Sequence, residues 1–342
     1  MADTLASDLF VPEVAARYGR QKFVENMDAM KFIGPEGSGA PIELVNDPVF
    51  ASEGQYFSMP VFKRIASLGT KRDLTSVSAV TDLELTSGDE KAVKVHKKLG
   101  SVSRSLDAGR LSRASDEELS AEIGMQFGEA TASMVIETIL NAARGAIAAM
   151  TSTLHTKDSW SATVRTNLSR TLINAIKAKL GDSRSKLTAV ICRSESMQDL
   201  IDEYLGAGVQ GIADVATQSG IIKSSLGVDI VMRDSAALTT ADAGFNKSHL
   251  LAMGPGAIKI GFSLPMTVYP PFLDTSKEQV LVRARGDVDY WVGIKGMGYN
   301  SGAGGANPTD AVLLSSANWS VVYSDHREVL LAELIHNAEA FA

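Results

Sequence analysis

Along this chain the apolar positions follow two rhythms, one of alternation and one of three- and four-residue steps. The clearest stretch is helical. Leu119, Ile123, Phe127, Ala130, Met134, Leu140, Ala143, Ile147 and Met150 keep those steps with one slip around Thr138, predicting a single helix over Ser115 to Met150. Such a helix is roughly 50 Å long at 1.5 Å per residue. Ser115 and Glu118 form a capping box at its start. Gly124, Gly128 and Gly145 each weaken an isolated helix by about 1 kcal/mol relative to alanine. The helix therefore needs neighbours, and its glycines let them approach closely.

Before this spine, Pro12 opens an amphipathic stretch with Val14, Tyr18, Phe23, Met27 and Met30 near one face. The run Gly34 to Pro41 reads as a turn-rich connector and Ile42 to Val45 as a short strand. From Tyr56 to Ser105 the pattern is strand-like, in the pieces Pro60 to Leu68, Val77 to Leu85 and Lys91 to Leu99. Ser87-Gly88-Asp89 is read as the hairpin turn between the last two. Neither face of Lys91 to Leu99 is cleanly apolar, so this ribbon must lean on something.

After the spine, Leu168, Leu172, Ile176 and Leu180 predict a helix within Asp158 to Leu180, stopped by Gly181. Leu187 to Cys192 is a buried-type strand, and Ser194 caps a helix from Glu195 to Leu205. Further strands are expected at Val228 to Met232, Ser248 to Met253, Ala257 to Phe262, Gln279 to Ala284 and Val288 to Ile294. The glycine-rich Gly296 to Pro308 reads as a mobile loop. A short helix from Thr309 or Asp310 to Asn318 follows, then strands at Trp319 to Tyr323 and Val329 to Ile335. Many strands against few helices make the class α+β.

Charge adds one feature. The 342 residues carry a net charge of −7, which argues against a dedicated nucleic-acid binder, since such a surface must be basic. Within that total, Tyr56 to Arg113 holds eleven Lys/Arg against six Asp/Glu, and Asp116 to Met150 holds six acids against one base, Arg144. A basic ribbon and an acidic helix suit a ribbon lying on a neighbouring subunit's helix, with charge setting register. They equally suit two solvated faces.

Chemistry is sparse. Gly206, Gly208 and Gly211 follow a helix-like segment, not a strand, so they stop a helix and cradle no dinucleotide. No phosphate loop, zinc helix or nucleophile elbow occurs. His96, His155, His249, His326 and His336 are scattered and read as structural, and Cys192, the one cysteine, reads as a buried thiol. Asp287 and Asp289 share a strand face and read as a surface pair; only convergence with a histidine in space would make them an acid/base site. No catalytic residue, cofactor or metal is expected. No apolar run approaches the length of a membrane span, and no leader pattern opens the chain.

The order of parts resembles the major capsid proteins of tailed bacteriophages, of the Hong Kong 97 type, from about Pro12 to Leu334. The pieces that carry the resemblance are Pro12-Glu13-Val14, Lys71-Arg72-Asp73, Leu226-Gly227-Val228-Asp229-Ile230, and Asn307-Pro308-Thr309-Asp310 through Asn318-Trp319. It implies an N-terminal arm (1–55), an extended β-hairpin loop (56–105), a peripheral domain with the spine helix (106–186 and 311–342) and an axial α/β domain (187–310), with Gly296 to Pro308 approaching a symmetry axis. It implies that the extended loop crosses the adjacent subunit, pairing Lys63, Arg64, Lys71, Arg72, Lys91, Lys94, Lys97 and Lys98 with Glu117, Glu118, Glu122, Glu129 and Glu137. The implied function is an icosahedral shell of hexamers and pentamers around double-stranded DNA held without sequence-specific contacts, located in the virion and assembled in the host cytoplasm. Portal and scaffolding proteins are the implied partners, decoration proteins stay open, and no membrane is involved. The chain leaves no room for a scaffolding region ahead of the arm, so a separate scaffolding protein, or none, is expected. An encapsulin-type shell holding protein cargo shares the fold and stays open as the alternative.

Overall fold

The computed structural model describes residues 11–29, 32–45, 56–63, 87–105, 116–150, 152–206, 227–242, 244–269, 272–274 and 281–338. Helix α1 (Pro12–Ala29) starts on proline, whose missing N–H falls where a helix has no acceptor to offer it. Strands β1 (Ile33–Pro35) and β2 (Ile42–Leu44) follow, joined through Gly37 and Gly39 at φ 77° and 79°, in the left-handed region glycine tolerates. Then come β3 (Tyr56–Phe62), the 19-residue β4 (Ser87–Ser105) and the 34-residue spine α2 (Asp116–Ala149). Helix α3 (Ser152–His155), β5 (Thr156–Asp158) and α4 (Arg170–Lys179) lead to β6 (Ala189–Cys192), α5 (Ser194–Gly206) and β7 (Asp229–Met232). Five strands follow, β8 (Thr239–Thr240), β9 (Lys247–Met253), β10 (Ile258–Val268), β11 (Phe272–Asp274) and β12 (Leu281–Ile294). The chain closes with β13 (Met297–Tyr299), α6 (Ser301–Gly304), α7 (Asp310–Leu314), β14 (Trp319–Val321) and β15 (Leu331–Asn337).

These strands form two sheets. The larger runs β1-β2-β10-β12-β4-β13-β14, with β11 on β12 and β3 on β4; the smaller runs β5-β15-β9-β6-β7, with β8 on β9. The α+β class holds. The stretch 187–310 supplies strands to both sheets, β6 to β9 to the smaller and β10 to β13 to the larger.

Period-two alternation places the smaller sheet between two cores. Leu251 and Met253 of β9 and Leu331 of β15 join the main core with Ile136, Ile139, Leu140 and Ile147 of the spine. Their neighbours Leu250, Ala252, Ala332 and Leu334 turn the other way and pack with Ile173 and Ile176 of α4 and Leu200 of α5. Full burial of each such side chain contributes about 1.5–3 kcal/mol.

The glycine reading of the spine is visible at its crossing with α1. A Cβ on Gly124 would strike the Ala15 carbonyl oxygen, and one on Gly128 the Gly19 carbonyl oxygen, so the two backbones touch. Gly145 meets the Leu313 carbonyl oxygen of α7 in the same way. On α1 the buried positions are Ala15, Gly19 and Met27, while Tyr18 is exposed. Of the expected apolar face, Met27 is buried and Phe23 packs against the core, whereas Tyr18 is turned out and the closest approach to the spine is made by the small Ala15 and Gly19. The spine's stripe also differs. Ala130 is exposed, whereas 138–147 is buried on all sides, because both sheets and α7 surround that half.

Several expectations are corrected. Ser87-Gly88-Asp89 is not a turn but the first part of β4, paired with Phe62, Val61 and Pro60. Gly88 is small because Val322 Cγ1 lies 2.6 Å from where its Cβ would be. Lys91 to Leu99, which had to lean on something, leans on its own chain: Val93 to Leu99 pair with β12, and Ala92, Val93, Lys94 and Val95 are buried. Val77 to Leu85 and Ser115 lie outside the described residues. The helix expected within Asp158 to Leu180 begins only at Arg170, where the Ser169 hydroxyl accepts the Leu172 N–H. The two strands expected over Gln279 to Ile294 are one, with a register shift between Ala284 and Gly286. The segment Gly296 to Pro308 is built structure: Met297 and Tyr299 are buried in β13, the Tyr299 hydroxyl donates to the Gly305 carbonyl, and Asn307 Oδ1 accepts the His96 N–H at 2.8 Å. Gly296 and Gly304 serve close packing, against the Tyr323 and Tyr299 rings, and Gly305 supplies a positive φ of 71°.

Candidate functional site

The spine presents a charged outer face. On a helix of 100° per residue Glu118, Glu122 and Glu129 fall within about 40° of one another, and Gly124 and Gly128, which carry α1, are turned about 80–160° away from them. All three acids are exposed, as is Glu117, and Glu137 is half-buried. The face is thus a stripe of like charge that the fold itself leaves outward. Beside it runs a groove of about 570 Å³, lined by Gln126, Glu129, Ser133, Val231, Met232 and Arg233 among others. Arg233 Nη2 donates to Ser133 Oγ at 3.2 Å, and Met232 is 52% exposed.

The basic residues expected to meet such a stripe divide into groups. Lys97 is engaged within its own chain, its ammonium 2.9 Å from Asp310 Oδ2, and Asp310 also accepts the Thr138 hydroxyl at 2.8 Å. Lys94 is buried and also has a partner. Lys98 is exposed and stands opposite Asp287 in the β4–β12 register. Lys63 and Lys91 are half-buried near the β3–β4 end. Arg64, Lys71 and Arg72 lie outside the described residues. Lys97 is therefore neutralised within its own subunit by an acid outside the spine, and its pairing with Asp310 ties β4 to the start of α7.

Of the two carboxylates, Asp289 meets a histidine and Asp287 a tyrosine. Asp289 lies 2.9 Å from His96 Nδ1, and Asp287 accepts the Tyr269 hydroxyl at 2.9 Å. That contact holds the Tyr269 hydroxyl above its usual range, first by the hydrogen bond to Asp287 and then by its charge. His96 is half-exposed on an open sheet face, so the group reads as cross-strand pairing. Burial pushes the Cys192 thiol up to about 12, which makes it inert. Among the described residues no group of three or more His, Cys, Asp or Glu is placed to hold a metal ion, and no helix is long and apolar enough to cross a membrane.

The joint between spine and smaller sheet is the polar feature that sequence reading missed. Arg144, the spine's one base, is buried, and its Nε donates to Glu333 Oε1 at 3.1 Å and its Nη1 to the Ala237 carbonyl at 2.6 Å. Its Nη2 lies 3.3 Å from Thr240 Oγ1 and 2.9 Å from His249 Nε2. His249 Nδ1 is 2.8 Å from the same Glu333 oxygen. Arg144 and Glu333 are 189 positions apart. The lone base in an acidic helix was the available signal, and nothing in sequence pointed to its partner.

The fold as a whole is shared with solved phage capsid chains. The capsid of Ralstonia phage GP4 superposes with a TM-score of 0.51 at 13% identity, covering 92% of this chain and 91% of that one. A Microbacterium phage Oxtober96 chain gives 0.52 at 12% identity, with 88% and 92% covered, and the cyanophage Pam1 capsid gives 0.52 at 9%, with 91% and 92%. No curated protein matches by sequence. The family model for major capsid protein 13-like proteins matches residues 22–329, and the chain belongs to that family. It is a structural capsid shell protein of a tailed phage, not an enzyme, and the encapsulin alternative is not favoured.

Proposed function

We propose that the chain is the repeating subunit of an icosahedral head that closes from hexamers and pentamers around double-stranded DNA, with the Hong Kong 97 division of labour. In this reading the arm includes α1 laid on the spine, and the extended loop is the hairpin whose base is β3 and β4. The larger sheet and spine form the peripheral domain and the smaller sheet with α4 and α5 forms the axial domain, a redrawing of the boundaries expected from sequence. Portal and scaffolding proteins are the partners during assembly in the host cytoplasm, and the outer surface is open to decoration proteins. Repeated heterologous contacts close because the rotation between copies does.

The observation that carries the inter-subunit part is the outward stripe Glu118, Glu122 and Glu129, exposed on a face turned away from the α1 crossing. Its partners on a neighbouring copy are Lys63, Lys91 and Lys98 with Arg64, Lys71 and Arg72, while Lys97 and Lys94 serve their own subunit. Reversing the stripe tests this. Glu118→Lys, Glu122→Lys and Glu129→Lys together should reduce shell yield at least tenfold with the subunit's circular dichroism unchanged, since like charges facing across an interface cost several kcal/mol. Wild-type yield from the triple variant would remove the stripe from the assembly surface.

A further inference from the structure

The buried imidazoles of the described residues gather on the smaller sheet and its flank. His249 and His336 sit on the neighbouring strands β9 and β15, one on each face of that sheet, and His155 leans on β15 from α3. His96, in the larger sheet, is 49% exposed. The placement has consequences because each buried ring is held as a neutral base.

At His336 the Ser248 carbonyl, 3.1 Å from Nδ1, can only accept, so Nδ1 bears the hydrogen. Nε2, 2.9 Å from Ser196 Oγ, then accepts from α5. The titratable groups nearest this ring are His249, itself neutral, and Arg165, which pairs with Asp199 of α5 at 3.2 Å; the ring's own partners are a carbonyl and a hydroxyl, so a proton on His336 gains no carboxylate in contact. At His249 the Glu333 carboxylate fixes the hydrogen on Nδ1, and Nε2 faces Arg144 from the spine and Thr240 from β8. Lys247 adds a second positive neighbour. A proton on Nε2 would set imidazolium against guanidinium with one carboxylate between them. At His155, Nδ1 donates to the Leu331 carbonyl and Nε2 faces His326 Nδ1 at 3.1 Å, so again the nearest titrating group is a base.

We propose that the smaller sheet is an acid-sensitive joint: protonation of His249 releases its spine face, protonation of His336 releases its α5 face, and the larger sheet stays packed. Burial lowers all three imidazoles, His336 to about 4. A histidine whose folded value lies below its unfolded 6.5 binds more protons unfolded, so stability is full above about pH 6.5 and falls as pH drops toward the folded value. For His336 alone the opening equilibrium rises roughly sixtyfold between about pH 7 and about pH 4.5. Glu333, held low chiefly by His249 and Arg144 against its own burial, is neutralised further down and acts in the same sense.

Amide hydrogen exchange of the purified chain at about pH 7 and about pH 4.5, corrected for intrinsic rates, reads this by strand. The expected result is at least tenfold more opening in β9 and β15 in acid, with β12 and the β12-paired part of β4 changing less than threefold. The variant His249→Asn/His336→Asn should lose most of that acid response. Equal loosening of both sheets overturns the proposal, as does an undiminished response in the double variant. Should that variant not fold, the strand-by-strand comparison in the wild-type chain decides. Neither readout depends on assembly, so failure here leaves the shell reading untouched.

Discussion

Arg144→Ala is expected to destabilise the subunit by about 3–5 kcal/mol, the cost typical of breaking a buried ion pair from one side. The change leaves Glu333 buried beside His249 without its guanidinium, and the Ala237 carbonyl and Thr240 hydroxyl without a donor. Such a loss is a large part of the 5–15 kcal/mol that holds an ordinary domain. Urea unfolding of the unassembled chain followed by circular dichroism measures it. The double variant Arg144→Met/Glu333→Gln should recover a substantial share, because the uncompensated charge is gone and glutamine still offers His249 an acceptor. A single-variant loss below about 1 kcal/mol would mean that Arg144 does not join spine and sheet as described.

Gly128→Ala, which on an exposed helix would add about 1 kcal/mol, is expected to remove about 1–3 kcal/mol here. The reversal comes from the α1 crossing, where the new methyl would meet the Gly19 carbonyl oxygen and crowd the Phe23 backbone nitrogen at 3.0 Å. Backbone cannot rotate aside as a side chain can, so α1 must lift from the spine. Gly100→Ala in β4 is the matched control, since nothing lies within 4 Å of its added Cβ. Thermal unfolding compares the two, and limited proteolysis reports whether α1 has come loose. If Gly128→Ala raised the melting temperature, the helices would not be in backbone contact.

The spine, α5 and α7 were legible because each signal is local: three- and four-residue apolar steps, and Thr309 accepting the Val312 N–H at the α7 start. The acidic stripe was legible too, since helix periodicity alone puts Glu118, Glu122 and Glu129 together. What misled were residues whose local preference and tertiary use differ. Gly88 and Asp89 favour turns but lie in β4, where Val322 leaves no space for a Cβ on Gly88. The glycines after Gly296 look like a loop, yet Gly304 is small to admit the Tyr299 ring and Gly296 donates its N–H to buried Glu90 at 2.7 Å. The joint was hidden for the opposite reason. Arg144, His249 and Glu333 carry no spacing that sequence periodicity can read, and only strand pairing between β9 and β15 brings the last two together. Long-range strand pairing also explains why 187–310 divides between two sheets: β9 pairs with β15 in the smaller, whereas β10 pairs with β12 and β12 with β4 in the larger.

The central claim, that this chain closes into a shell, is tested most directly by light scattering and negative-stain imaging of the purified chain, alone and co-expressed with its neighbouring phage proteins. Closed shells, or rings with fivefold and sixfold symmetry, are the predicted result. A compact 36.3 kDa monomer in every preparation would contradict it.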